Sequence, residues 1–335
     1  MKQPAGFTSN DQNLVYRLEK AIYGLKQAPP TWFAKLMSTF IQLSFHSARC
    51  DPSLFIHTTS KTLTYILVYV DEILITGNSS TFIQHFIHRL HLFYPLKDLG
   101  VLHCFLGLEV KPLTDNKLML CQTKYITDLL DRLHMSNAKP IKTPLPSRCK
   151  FQDDDTNLFK DATLYRSVVE ALQYVSITRP DVAFSINKLC QYMHRPLESH
   201  WKFVKRVIIY LKGTITHGLV YSPSENLHLT RHCDSNWASD STDMRSTSGH
   251  CVFLGNNIIF WVAKKQNVVS QTSIEAKFRS IASLVVEICL LKSLLTKLKI
   301  KVTRPPLIWC DNLSAIILTA NPVLHSKFKH FELDL

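Results

Sequence analysis

Apolar residues recur at helical spacing after Pro29 and Pro30. Trp32, Phe33, Leu36, Phe40 and Leu43 share one side, so residues 12–45 read as a loop and then a helix. The pattern changes over residues 64–77, TYILVYVDEILITG. Two β-rich arms, 65–70 and 73–76, flank Asp71 and Glu72, and Gly77 closes the unit. That predicts a hairpin with acids at its tip. A helix is predicted for 80–93, a hairpin for 101–121 with its turn at Thr114, Asp115 and Asn116, and a helix for 124–133. Residues 139–160 carry Pro140, Pro144 and Pro146 and the run Asp153, Asp154, Asp155, which fits a linker or an extended crossing segment. Residues 162–213 read as two or three short helices.

A different pattern starts near residue 217. Short strands at 218–221, 227–233, 249–254 and 258–262 precede one long helix at 273–300. Ile274, Phe278, Ile281, Leu284, Val285, Ile288, Leu291, Leu295 and Leu298 form its apolar stripe. A strand at 306–310 then runs into Asp311 and a further helix. There is no internal repeat and no low-complexity tract.

Composition narrows the classes. The chain has 335 residues, 46% of them hydrophobic, enough for two or three folded domains. A net charge of +13 favours acidic partners, above all nucleic acid, although no Lys/Arg run marks a dedicated arm. The nine cysteines are odd in number, scattered and never in a CxxC pair, which argues against a zinc site or disulfide framework and for a reducing compartment. MKQPAGFTSNDQN has no apolar signal region, and no apolar run is long enough to span a bilayer. An intracellular location, in a cytoplasmic particle or the nucleus, is therefore expected.

Two sets of acids carry candidate chemistry. Adjacent carboxylates at a tight turn repel each other unless a cation neutralises them, so Asp71 and Glu72 point either to a Mg²⁺ site or to a solvated turn. Asp234 and Asp311 follow predicted strands, and the long helix begins between them at SQTSIEAKF. Acids brought together from separate elements suit a two-metal nuclease, and they suit strand ends and helix caps as well.

The wider sequence resembles copia-type retrotransposon Pol polyproteins. YVDE (69–72) resembles the family's YVDD box of the reverse transcriptase. MKQPAGF (1–7), AIYGLKQAP (21–29), DPSLF (51–55), LKDLG (96–100), FLGLEV (105–110), YRSVVEALQY (165–174), TRPDVAF (178–184) and YLKGT (210–214) agree in order and spacing. DSNWASDSTDMRSTSGHCVFLG (234–255), FWVAKKQNVVSQTSIEA (260–276), LIWCDNLSAIILTANPVLH (307–325) and KHFEL (329–333) resemble the family's RNase H. The resemblance runs along the whole chain.

It implies a mixed α/β fold: a partial reverse-transcriptase palm over 1–110, a helical thumb-like and connection region over 111–215, and an RNase H-like mixed sheet with flanking helices over 216–335. It implies two-metal phosphoryl transfer with Mg²⁺ or Mn²⁺. Asp71 becomes the first acid of the polymerase box and Glu72 its second. Lys26 and Gln27 lie near the nucleotide and template. Asp234 becomes the first nuclease acid, Asp311 the third, and Glu332 the fourth, with Asp334 as the neighbouring option and His330 assisting. Arg245, Ser246, Thr247, Ser248, Lys264 and Lys265 become backbone contacts to a hybrid, although ordinary surface residues read equally well for the lysines. The implied partners are an RNA–DNA hybrid or a template–primer, and upstream Pol segments.

Departures from the family pattern predict impaired catalysis. A metal-binding Asp is expected upstream of the MKQPAGF segment, and a helix carrying the fourth acid is expected to be cut short. Glu72 replaces Asp, and Pro30 replaces Arg. Glu170 replaces Gly, through relaxed selection or as a harmless surface change. Lys277 stands where the second nuclease acid should be, and Glu275 lies two residues away, roughly 200° around the helix. The chain is expected not to polymerise alone and to cleave hybrids weakly or not at all. Competing readings are an enzyme that works when complemented and a non-cleaving nucleic-acid-binding module.

Overall fold

A computed structural model describes residues 11, 15, 24–26, 28–146, 151, 157–240, 243–302 and 304–321. The chain divides into two compact units, Met1–Val101 and Leu102–Leu335. The architecture is mixed α/β.

In the first unit, helix α1 (Ala28–Gln42) precedes strands β1 (His46–Ala48), β2 (Asp51–Thr58), β3 (Leu63–Tyr69) and β4 (Glu72–Gly77), and helix α2 (Ser80–His91) follows. Pro29 and Pro30 fall inside the first turn of α1 rather than before it, where a missing N–H costs no helical bond. The strands form an antiparallel sheet in the order β1-β2-β3-β4. Phe40, Phe45, Phe55, Ile66, Val68, Phe86 and Leu90 are buried between that sheet and the two helices. Phe40 meets Phe55 edge-on, with centroids 4.8 Å apart. Ser79 caps α2 by accepting from the Phe82 N–H. Sequence periodicity foresaw the β3–β4 hairpin and α2, and missed β1 and β2.

The second unit contains two sheets and a helical cluster. Strands β5 (Cys104–Phe105), β6 (Leu108–Pro112), β7 (Leu118–Cys121) and β8 (Leu219–Tyr221) make one antiparallel sheet in that order. Asp115 and Asn116 both have positive φ (58° and 55°) at the turn between β6 and β7, where short polar side chains tolerate that region. The strand expected at 218–221 thus joins this sheet rather than the later one. Its approach needs Gly218, because a Cβ there would run into the Leu120 carbonyl oxygen.

Helices α3 (Thr123–Arg132), α4 (Ala162–Val175), α5 (Ala183–Cys190) and α6 (Glu198–Gly213) bury Ile126, Leu129, Tyr165, Leu172, Leu189, Val204 and Ile208 in one core. Phe151 joins that core and stacks on Tyr192, so this part of the proline-rich stretch is packed. Glu170 is exposed on α4.

Strands β9 (Leu229–Asn236), β10 (Thr247–Leu254), β11 (Asn257–Lys265) and β12 (Leu307–Cys310) form the last sheet, in the order β11-β10-β9-β12. Three are antiparallel, and β12 runs parallel to β9. A parallel neighbour needs a crossover, which α7 (Ser273–Lys297) supplies before α8 (Leu313–Ala320) closes the described chain. Phe278, Ile281, Leu284, Ile288 and Leu295 of α7 are buried, whereas Val285, counted in the predicted stripe, is largely exposed.

Candidate functional site: a carboxylate hairpin and a lysine-bridged acid pair

The β3–β4 hairpin is tighter than its sequence suggested. Tyr69 pairs with Glu72, so the loop is Val70 and Asp71, and Glu72 is the first residue of β4 rather than part of the turn. Val70 has φ 49°, a region that β-branched residues avoid. Tyr69, Val70, Asp71 and Glu72 are all exposed. Two exposed carboxylates, one in the loop and one at the start of β4, are ligands a hard cation accepts. Among the described residues, no group of three or more His, Cys, Asp or Glu could hold a metal ion. Lys26 is exposed. Gln27, His330, Glu332 and Asp334 lie outside the described residues.

The second acid set comes together in space. Asp234 sits within β9, which extends to Asn236, rather than after the strand. Asp311 directly follows β12. Because β9 and β12 are parallel neighbours with Cys233 opposite Cys310, the two acids emerge side by side. Lys277 of α7 reaches both. Its Nζ lies 3.2 Å from Asp234 Oδ1 and also donates to Asp311 Oδ1. Burial works against the charge on Lys277, but the bonds to Asp311 and Asp234 outweigh it and raise its pKa. The bond from Lys277 holds the Asp311 carboxyl below its usual range. Ser280 Oγ donates to the Asp234 carbonyl oxygen and ties α7 to β9 one turn further on.

Glu275 faces elsewhere. It is buried, accepts from the Gln271 N–H, and pairs with Arg279 at 2.9 Å one turn along the helix. Thr272 caps the same helix by accepting from the Glu275 N–H. This acid is therefore part of the helix start and not of the Asp234–Asp311 pair. The ammonium between those carboxylates does not fit a two-metal centre, in which each ion needs open carboxylate oxygens.

The candidate hybrid contacts differ among themselves. Lys264 is exposed. The Lys265 ammonium lies 2.8 Å from both Asp240 and Asp243, so it serves an internal ion cluster. Asp240 is buried and also accepts from Lys188 of α5 at 2.9 Å, which links α5 to β11. Arg245 Nε lies 3.6 Å from Asp243. Ser246 and Ser248 are buried, and Thr247 hydrogen-bonds Ser239. Nothing in the periodicity marked Asp240, because its partners lie 52 and 25 residues away.

Two buried arginines contrast within this unit. Arg179 has a partner on each guanidinium nitrogen: it donates to both Asp181 carboxylate oxygens, at 2.9 and 2.6 Å, and to the Thr214 carbonyl and hydroxyl. Burial would raise Asp181, but the bonds from Arg179 and Tyr210 hold it below its usual range. Arg231 on β9 is buried, and among the described residues none of its guanidinium nitrogens has a hydrogen-bond partner. Burial pushes its pKa down to about 10, although Cys289 opposes the shift. Neither arginine belongs to the acid pair.

The description "Reverse transcriptase (RNA-dependent DNA polymerase)" matches residues 1–147. The retrovirus-related Pol polyprotein from transposon RE1 of Arabidopsis thaliana is 43% identical over the entire chain, which covers 23% of that polyprotein. The chain belongs to the copia-type Pol family of retrotransposons. The corresponding polyprotein from transposon TNT 1-94 of Nicotiana tabacum is 31% identical over 99% of the chain and 26% of its own length. An uncharacterized mitochondrial protein of Arabidopsis thaliana is 43% identical over 65% of the chain and 90% of its own length. The chain thus spans about a quarter of the Pol polyproteins it matches. Among the described residues, no helix of this Pol-family chain is long and apolar enough to cross a membrane.

Proposed function

We propose that this chain carries the reverse transcriptase–RNase H part of a copia-type Pol and has lost most of its catalysis. Residues 1–110 are assigned to a palm, 111–215 to a thumb-like and connection region with a proline-rich link at 139–160, and 216–335 to an RNase H-like domain. Support for the last comes from three antiparallel strands, a crossover helix and a parallel fourth strand beside the first.

Asp71 and Glu72 are the polymerase acids in this reading, with Lys26 and Gln27 toward template and nucleotide. Asp234, Asp311, Glu332 and His330 are the nuclease set, and Arg245, Lys264 and Lys265 flank the hybrid, with Lys264 the most available. Reverse transcriptases of this family generally use Mg²⁺. When bound at Asp71 and Glu72, the ion would neutralise charge on transferring phosphate. The carboxylates themselves would hold the ion at the tip of the β3–β4 hairpin. Glu72 carries one methylene more than the family's Asp, which moves its carboxylate by roughly an ångström in a site that tolerates about 0.5 Å.

The observation that carries the loss of nuclease activity is the Lys277 ammonium between Asp234 and Asp311. Cleavage of an RNA–DNA hybrid and primer extension on a homopolymer template, each with Mg²⁺ or Mn²⁺, test the reading. Neither product is expected above background. Clear metal-dependent cleavage or extension would overturn it and favour a working enzyme. A second reading, a module that holds nucleic acid without cutting it, is favoured by the net charge of +13 and the exposed Lys264. It requires hybrid binding that weakens steeply with salt.

A further inference from the structure

Three elements converge on one charge cluster: β9 with Asp234, the end of β12 with Asp311, and α7 with Lys277. The carboxylates are open to solvent, with side chains 63% and 68% exposed, whereas the Lys277 side chain is only 14% exposed. The ammonium therefore approaches from the protein side, along a stem that α7 packs into place. An ammonium has three donors and no acceptor, so one group can bond both carboxylates at once. The parallel register of β9 and β12 fixes the acids side by side, and the Ser280 bond to the Asp234 carbonyl fixes the helix against them. None of this geometry requires a metal.

We propose that Lys277 is a tethered counter-ion: its ammonium fills the place between Asp234 and Asp311 that a divalent cation would take, so the two facing carboxylates are neutralised without metal. A divalent ion entering the pair must displace the ammonium or sit within about 4 Å of it, at a repulsive cost of on the order of tenfold or more in affinity. Displacement is opposed because the lysine is covalently part of α7 and cannot diffuse away. Removing the ammonium leaves two facing carboxylates with no resident cation, which converts the pair into a divalent-cation site. This proposal deepens the nuclease reading and rests on it only for where a metal would be expected. The ion pairs stand without it.

The test is a Mn²⁺ titration of the full chain at neutral pH, followed by the loss of the free-Mn²⁺ electron paramagnetic resonance signal. The wild-type chain should show no saturable Mn²⁺ site that depends on Asp234 or Asp311. Lys277→Met, which keeps the stem and removes the charge, should bind Mn²⁺ about tenfold more tightly or better. Adding Asp311→Asn to that variant should abolish the gain. Mn²⁺ should raise the melting temperature of Lys277→Met more than that of the wild type, and Asp311→Asn should abolish the difference. Should Lys277→Met fail to fold, Lys277→Gln takes its place with the same expected outcomes.

A wild-type Mn²⁺ site abolished by Asp234→Asn or Asp311→Asn would overturn the proposal. So would a charge-free Lys277 variant that binds Mn²⁺ no better than wild type. Hybrid cleavage by a wild-type chain that still lacks Mn²⁺ binding at these acids would sink the nuclease reading and leave this one intact.

Discussion

Lys277 and Asp234 meet at 3.2 Å although one lies on a helix and the other on a strand 43 residues earlier in the numbering. The contact joins α7 to the middle of the sheet, and Asp311 completes it from β12. Both carboxylates are largely exposed, so solvent screens the pairing. Asp311→Asn is expected to lower stability by less than about 1 kcal/mol. Urea unfolding of the wild type and variant measures it, and a loss several times larger would mean that the pair carries the fold rather than neutralising its end.

Arg231 predicts a gain. A buried guanidinium without partners among the described residues retains its desolvation cost and recovers none of it through hydrogen bonds to them. Arg231→Met replaces it with a flexible apolar chain of similar reach. Stability should rise by about 1–3 kcal/mol, the penalty typical of an unsatisfied buried polar group. A thermal melt that shifts downward would show that the guanidinium has an unrecognised role.

Arg179 predicts the reverse. Its guanidinium is bound on every side, with Tyr210 stacked 5.6 Å away. Arg179→Met should cost about 2–4 kcal/mol, because Asp181 and Thr214 lose charge-assisted partners together. The double variant Arg179→Met/Asp181→Asn should lose less than the sum of the two single changes, and additive losses in a double-mutant cycle would count against the pairing.

His250 predicts a pH dependence. It is buried, both ring nitrogens lack partners among the described residues, and burial lowers its pKa from 6.5. The folded state therefore holds it neutral at a pH where the unfolded chain already binds a proton. That stability is fully present above about pH 6.5 and is lost as pH falls from there through the depressed folded value. His250→Phe, placed beside Phe260, should flatten the slope of stability against pH over that interval. An unchanged slope would assign it to other groups.

Val70 is the strained position of the β3–β4 hairpin, with φ 49° in a two-residue loop. Val70→Gly should raise stability by up to about 1 kcal/mol, since relief of left-handed strain of about 1–2 kcal/mol exceeds the extra entropy of an unfolded glycine. Denaturant midpoints of the two chains decide it. A clear loss would mean that the side chain packs usefully where it stands.

Local pattern made several elements legible. The β3–β4 hairpin was visible in TYILVYVDEILITG, because β-branched arms around two acids leave few other solutions. The long helix was visible from its repeating apolar positions, and the structure runs it from Ser273 to Lys297. Strands β1 and β2 escaped notice: one is only three residues long, and Ile56 and His57 are buried beside Leu54 and Phe55, which erases alternation. The ion cluster on Asp240 escaped notice for another reason, since no local signal pairs residues so far apart.

The amino-acid sequence by itself determined the lineage, the helical and strand periods of the longer elements, and the identity of the odd residue at position 277. Its motifs are local, and a motif survives in the order of side chains. Only the tertiary structure decided that β8 completes the earlier sheet, that Lys265 is occupied by Asp240 and Asp243, and that the Lys277 ammonium bonds both Asp234 and Asp311. Those outcomes depend on strand pairing and on the rotation of α7 about its axis. Both are fixed by which apolar faces can be buried together, not by any one segment alone.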